Sequence, residues 1–117
     1  MPYIQINLNK KIEQETETNI KEKLGKLIET IPGKTEKWLM VQINDDGKLY
    51  FRGKSEDTIA FVSIRIYGKN APEVYSAFTG EITKLLCDEI DLKEDNIYVQ
   101  YEECEYWGWN GKNFGYN

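Results

Sequence analysis

The strongest constraint on this chain is that it repeats itself. Residues 26–43, KLIETIPGKTEKWLMVQI, line up without gaps against residues 84–101, KLLCDEIDLKEDNIYVQY, with Lys-Leu opening both and Val-Gln at the same place in both. Each segment runs from the end of a helical pattern into a strand pattern. The same kinds of element precede each. PYIQINL alternates with period two, placing Ile4, Ile6 and Leu8 on one face. Ile20, Leu24, Leu27, Ile28 and Ile31 then recur at helical spacing, with Thr16 or Thr18 as the cap, and Ile-Pro-Gly at 31–33 stops that helix. KWLMVQIN reads as the second strand, DDG as a tight turn, and KLYFRG as a short strand completing a hairpin.

The second unit opens with the mostly apolar strand TIAFVSIRIYG. A helix follows from NAPEV, where Asn70 caps, Pro72 fits the first turn and Glu73 stands at capping-box distance. Val74, Phe78, Ile82, Leu85 and Leu86 form its buried stripe, and NIYVQYEE is the last long strand before the aromatic tail YWGWNGKNFGYN. Two β-α-β units sharing one mixed sheet, with both helices on one face, predict a two-layer α+β domain spanning residues 1–117. Apolar residues at both parities in AFVSI, YFRG and WLMV predict that the other sheet face is covered by self-association.

Composition then removes function classes. A formal charge of -5 argues against a nucleic-acid footprint. No 18-residue apolar run argues for a membrane span, and the first nine residues lack the apolar region of a secretory signal. Cytoplasmic residence is the expectation, with non-classical secretion as the alternative. The chain has no histidine, so neither a catalytic zinc site nor an imidazole base is expected. Cys87 falls within an apolar helical pattern and reads as a packed thiol; Cys104, near a strand end, is left open between buried and exposed. Without histidine, proton transfer near neutral pH falls to a shifted carboxylate, lysine, cysteine or tyrosine, or to the α-amino group.

That last option directs attention to the Met-Pro start. Once Met1 is removed, the Pro2 nitrogen becomes a secondary amine, hence a base. By itself Met-Pro signals little, because ordinary proteins begin this way. Pro2 needs company: a cation for an anionic substrate, donors for a developing enolate, and apolar walls.

MPYIQINLN, the Gly-Lys closing the first helix, SIRIYGK, KLLCDEIDLKEDNIYVQYEE and GWNGKNF occur in an order and spacing that resemble the macrophage migration inhibitory factor family of the tautomerase superfamily, along essentially the whole chain. The resemblance implies a duplicated β-α-β fold, a homotrimer with sites at subunit interfaces, and keto–enol tautomerase activity without a cofactor. By this resemblance Pro2 is the catalytic proline and Lys34 the lysine that binds the substrate's anionic group. Tyr67 stands where the family usually has isoleucine, whose main-chain amide lines the pocket. Tyr98 corresponds to a tyrosine offered by the neighbouring subunit, and Gln100 replaces an asparagine. Trp107, Trp109 and Phe114 correspond to the aromatic rim. Read without the resemblance, Lys34 is a helix-end lysine complementing the dipole, Tyr98 and Gln100 are cross-strand pairs, and the rim aromatics are subunit packing.

The implied reaction is an intramolecular oxidoreduction interconverting keto and enol forms of a small aryl α-keto acid such as phenylpyruvate. A second reading is a cytokine-like or host-interaction protein acting through a protein receptor. A third, dehalogenase, hydratase or decarboxylase chemistry, needs further charged groups near Pro2. Arg52 and Arg65 are the only arginines, and strand parity places neither there. The Cys-x-x-Cys pair of the mammalian cytokine is absent, the corresponding stretch reading SEDTIAFVS. The tail between Tyr101 and Trp107 is also slightly shorter than in the family.

Overall fold

A computed structural model describes residues 1–114; the end of the aromatic tail, including Tyr116, lies outside the described residues. The chain runs β1 (Pro2–Leu8), α1 (Gln14–Leu27), β2 (Met40–Asn44), β3 (Ala60–Tyr67), α2 (Pro72–Glu89) and β4 (Ile97–Cys104), then a small hairpin of β5 (Gly108–Trp109) and β6 (Lys112–Asn113). The four long strands form one mixed sheet in the order β2-β1-β3-β4. β1 is parallel to β2 and antiparallel to β3, and β3 is parallel to β4.

Strict alternation makes this sheet one-sided. Ile4, Ile6 and Leu8 of β1 and Val62, Ile64 and Ile66 of β3 are buried, with Ile20 and Leu24 of α1 and Phe78, Ile82 and Leu86 of α2 in the same core. The two helices pack side by side on that face. On the opposite face β1 and β2 carry an amide ladder: Gln5 Nε2 donates to Gln42 Oε1 at 3.2 Å, and Asn44 Nδ2 donates to Asn7 Oδ1 at 3.1 Å. Phe61, Ser63, Arg65, Tyr98 and Gln100 share this face through the strand register, and Met40 and Tyr98 on it are 67% and 57% exposed. The face therefore mixes an amide ladder with apolar side chains, Phe51 and Phe61 both meeting Tyr98 edge-on.

The repeat is structural. A shift of 58 residues carries Pro2 to Ala60, the first residue of β3, and carries the 3-10 turn Glu36–Trp38 onto the 3-10 turn Glu94–Asn96. The pairing registers obey it as well. Tyr3↔Met40 becomes Phe61↔Tyr98, while Pro2↔Ile66 and Leu8↔Ala60 exchange, so a pseudo-two-fold passes between Gln5 and Ser63.

Four local expectations are corrected. α1 begins at Gln14, with Glu13 at the N-cap position and no side-chain cap, so Thr16 and Thr18 lie inside the helix. Acidic Glu15 and Glu17 complement the dipole there instead. Ala71, not Asn70, occupies the N-cap of α2; the Asn70 amide donates to the Tyr75 hydroxyl. β2 starts only at Met40 because Glu36–Trp38 turns as a 3-10 helix. KLYFRG forms no hairpin with β2. The N–H groups of Asp46 and Gly47 donate to Lys10 and Leu8 carbonyls, which turns the chain away from β2. Phe51 and Lys54 pair only with each other across Arg52 and Gly53, both at positive φ, and the Arg52 guanidinium is anchored on Asn96 and Asp95.

Candidate active site

Pro2 is the first residue of β1, buried and opposite Ile66. The chain start is fixed by the Tyr67 N–H, which donates to the Met1 carbonyl at 3.2 Å. Lys34 arrives from the turn that follows α1. The Lys34 N–H closes this turn on the Ile31 carbonyl at 3.1 Å, with Pro32 and then Gly33 at φ 76 in its two central positions. From there the Lys34 Nζ donates to the Tyr67 carbonyl at 3.0 Å. Tyr67 thus serves the site through both main-chain groups: its carbonyl holds the lysine and its N–H faces the chain start.

The electrostatics follow from this geometry. Burial, and next the charge and hydrogen bond of Lys34, lower the Met1 amine from its ordinary 8.0 to about 6. Both causes disfavour the protonated form. Both act on the Met1 amine, one residue before the Pro2 nitrogen. While Met1 is attached, the Pro2 nitrogen is an amide and takes no proton.

An aromatic row extends from the Tyr67 ring. The Tyr67 ring lies 5.9 Å from Phe114, Phe114 stacks on Trp109 at 6.2 Å, and Trp109 meets Trp38 edge-on at 4.9 Å. The β5–β6 hairpin presents Trp109 and Phe114. It turns on Asn110 and Gly111, both at positive φ, and the Phe114 N–H closes it on the Trp107 carbonyl at 2.8 Å. The Trp107 side chain instead lines a cavity of about 620 Å³ with Tyr3, Met40, Gln42, Arg65 and Cys104.

Lys34 and the Tyr67 main chain therefore meet at the chain start, Phe114 and Trp109 are connected to it through the Tyr67 ring, and Tyr98 and Gln100 lie elsewhere. Tyr98 pairs with Phe61 and packs edge-on against Phe51 at 5.0 Å, while Pro2 faces Ile66. Five residues of strand separate those two positions on β3, roughly 17 Å at the usual rise. Gln100, opposite Ser63, is three residues away, roughly 10 Å. Within one chain neither reaches Pro2.

Trp38 is the residue that sequence reasoning missed, having been absorbed into the strand pattern KWLMVQIN. The repeat carried the signal. The 58-residue shift matches Trp38 with Asn96 and Tyr67 with Asn9. In the second unit those two asparagines seal the corresponding place: Asn9 Nδ2 donates to the Ser55 and Asp57 carbonyls at 3.1 and 2.8 Å, and Asn96 Nδ2 donates to the Thr58 carbonyl at 3.2 Å. The bond from Tyr67 N–H to Met1 recurs there as Asn9 N–H to the Ile59 carbonyl, at 3.4 Å. Amides hold chain at one end of the sheet, and aromatic rings frame the other.

Comparison with known proteins agrees with this architecture. The family model described as Macrophage migration inhibitory factor (MIF) matches residues 1–115. A macrophage migration inhibitory factor homolog of Brugia malayi is 26% identical over 117 residues, covering 98% of this chain and 100% of that protein. The crystal structure of Leishmania major MIF2 is 27% identical, covers 97% of each chain and superposes with a TM-score of 0.89. The MIF-like protein of Entamoeba histolytica, 23% identical with 97% and 98% covered, has the same fold at a TM-score of 0.84.

Proposed function

The chain belongs to the macrophage migration inhibitory factor family of the tautomerase superfamily, and from that membership we infer that it is a keto–enol tautomerase of aryl α-keto acids, with Pro2 as base once Met1 is removed. The observation that carries this reading is geometric: Pro2 is the buried first residue of β1, and beside the chain start the Lys34 Nζ is held on the Tyr67 carbonyl at 3.0 Å.

Removal of Met1 has two consequences. It turns the Pro2 nitrogen into a free amine, and it deprives the Tyr67 N–H of its acceptor, leaving a donor aimed into the vacated space. A substrate oxygen takes that donor, and the Lys34 ammonium, already close, pairs with the carboxylate. Pro2 removes a proton from C3 of an aryl pyruvate. The C3–H electron pair becomes the C2–C3 double bond and the carbonyl pair moves onto oxygen. Returning the proton to that oxygen gives the enol, and the reverse sequence gives the ketone. Tyr98 and Gln100 of an adjacent subunit in a homotrimer stabilise the developing oxyanion. Tyr67, Trp109, Phe114 and Trp38 accept the flat aryl group. No cofactor takes part, and the setting is cytoplasmic. Dehalogenase-type chemistry is disfavoured by the arginines: Arg52 is anchored on Asn96, and Arg65 lies on the open sheet face over Tyr3, beside Glu102.

The test compares protein starting at Pro2, verified by intact mass, with protein retaining Met1 and with Pro2→Gly, following phenylpyruvate enol-to-ketone conversion by ultraviolet absorbance. Retained Met1 makes the Pro2 nitrogen an amide and lowers kcat/KM by about 100-fold or more, whereas Pro2→Gly keeps a primary amine there without the rigid ring and loses less. Equal rates in all three would remove Pro2 from the mechanism.

A further inference from the structure

The link between β3 and α2 is tied down by the end of β4. Gly68 N–H donates to the Cys104 carbonyl at 3.3 Å, and Asn70 N–H donates to Glu103 Oε2 at 3.1 Å. The same carboxylate oxygen accepts the Tyr75 hydroxyl at 2.6 Å. Tyr75 is in turn fixed by stacking on Tyr101 at 4.7 Å, and the Tyr101 hydroxyl donates to the Tyr75 carbonyl at 3.0 Å. These donors hold the Glu103 carboxyl below its ordinary range, the Tyr75 hydroxyl contributing most.

This clamp is built twice. The 58-residue shift matches Asn70 with Ile12 and Glu103 with Asp45, and Ile12 N–H donates to Asp45 Oδ2 at 2.9 Å. In both units a carboxylate near the end of the parallel partner strand catches the main chain entering the helix. The difference lies in what the clamped link carries. The second link begins at Tyr67, whose carbonyl holds Lys34.

We propose that Glu103 is a positioning residue for the candidate active site: by catching Asn70 it fixes the Tyr67–Asn70 segment so that the Tyr67 carbonyl holds the Lys34 ammonium against the chain start. This rests on the reading of Lys34 as the group that pairs with the substrate carboxylate. Glu103 acts through Asn70 and Tyr67, so its loss weakens binding far more than proton transfer.

The structure also supplies the control. Asp45→Ala removes the equivalent clamp away from Lys34, whereas Glu103→Ala removes the one that leads to it. Glu103→Gln is a rescue, because an amide oxygen keeps two lone pairs for Asn70 N–H and the Tyr75 hydroxyl. The first readout is the acylation rate of Lys34 by an N-hydroxysuccinimide acetate ester, mapped by peptide mass spectrometry. It rises about threefold or more in Glu103→Ala and stays at the wild-type rate in Asp45→Ala and Glu103→Gln, as expected when a holding hydrogen bond is released. The second is phenylpyruvate kinetics, where Glu103→Ala raises KM about fivefold with kcat within about twofold, the signature of lost uniform binding. Unchanged Lys34 acylation in Glu103→Ala overturns the proposal. So does an equal response in Asp45→Ala, or a fall in kcat matching the rise in KM. If the wild-type protein has no turnover, the tautomerase reading falls, and Lys34 acylation alone decides the role of Glu103.

Discussion

Replacing Lys34 by methionine in the chain that starts at Pro2 separates the two causes that lower the amine's basicity. In the structure the Met1 amine, one residue before the Pro2 nitrogen, is pushed from 8.0 to about 6, by burial first and then by the Lys34 charge and hydrogen bond, and a Pro2 amine meets the same two influences. Methionine keeps an apolar stem of similar length and removes both contributions of the ammonium. Part of the depression therefore remains and part is relieved, so the acid limb of kcat/KM moves up by about one pH unit. The direction is fixed by charge. Pro2 acts as a base only when unprotonated, and a neighbouring cation opposes protonation, so removing it raises the pKa. At pH values below the limb this lowers the fraction of free base by about tenfold, beyond any pH-independent loss from weaker carboxylate binding. The assay is kcat/KM for phenylpyruvate from about pH 5 to about pH 9, where the acid limb reports the base of the free enzyme. Ionic strength gives an internal check. Raising salt from about 0.05 M to about 1 M screens the lysine but leaves burial untouched, so the wild-type limb shifts upward and the variant's does not. A limb that stays in place or moves down in Lys34→Met refutes the reasoning, because Lys34 would then not act on the base.

Two stability predictions check the frame around the site. Gly80 lies inside α2, exposed and with open space where a Cβ would stand. Gly80→Ala should stabilise the protein by about 0.8–1 kcal/mol and raise Tm by about 4 °C; an unchanged Tm would argue against a formed helix at that position. Asn96 is 7% exposed, accepts from Arg52 and donates to the Thr58 carbonyl. Asn96→Ala should cost about 1–3 kcal/mol in urea denaturation while leaving KM for phenylpyruvate unchanged, and a neutral effect would mean that this amide does not hold the second unit closed.

How legible these features were depended on whether local pattern or distant partners decided them. β1, β3, α2 and β4 could be read because apolar residues at period two or at helical spacing meet the same core. The expected hairpin that does not form had a good local signal in Asp-Gly, yet the N–H groups there are taken by Lys10 and Leu8, far away in sequence. Asn70 was a sound cap candidate until Tyr75 and Glu103 claimed its side chain and its N–H. The turn at Glu36–Trp38 hid inside an apolar stretch, and with it went Trp38. Of the site, residue chemistry alone made Pro2 worth asking about; Lys34, Tyr67 and the rim came from family resemblance. Neither source could bring Tyr98 and Gln100 to Pro2 within one chain, because register sets that distance.

The duplication explains why one end of the sheet is suited to chemistry and the other is not. Both ends inherit a strand start, a bond from the neighbouring strand's end back to the residue before it, and a carboxylate clamp on the following link. In the second unit, residues 55–59 run into the strand, and Asn9 and Asn96 satisfy the carbonyls along them. Such amides suit polypeptide, whose carbonyls need donors when buried. In the first unit the matching positions are Tyr67 and Trp38, which offer ring faces rather than side-chain amides, and Lys34 stands where the second unit has buried Leu92. Few donors remain there for more main chain, but there is a cation for a carboxylate and a flat wall for an aryl group. On the proposed reading, three differences on one duplicated frame turn a place that holds backbone into one for a small aromatic anion, next to the buried strand start at Pro2.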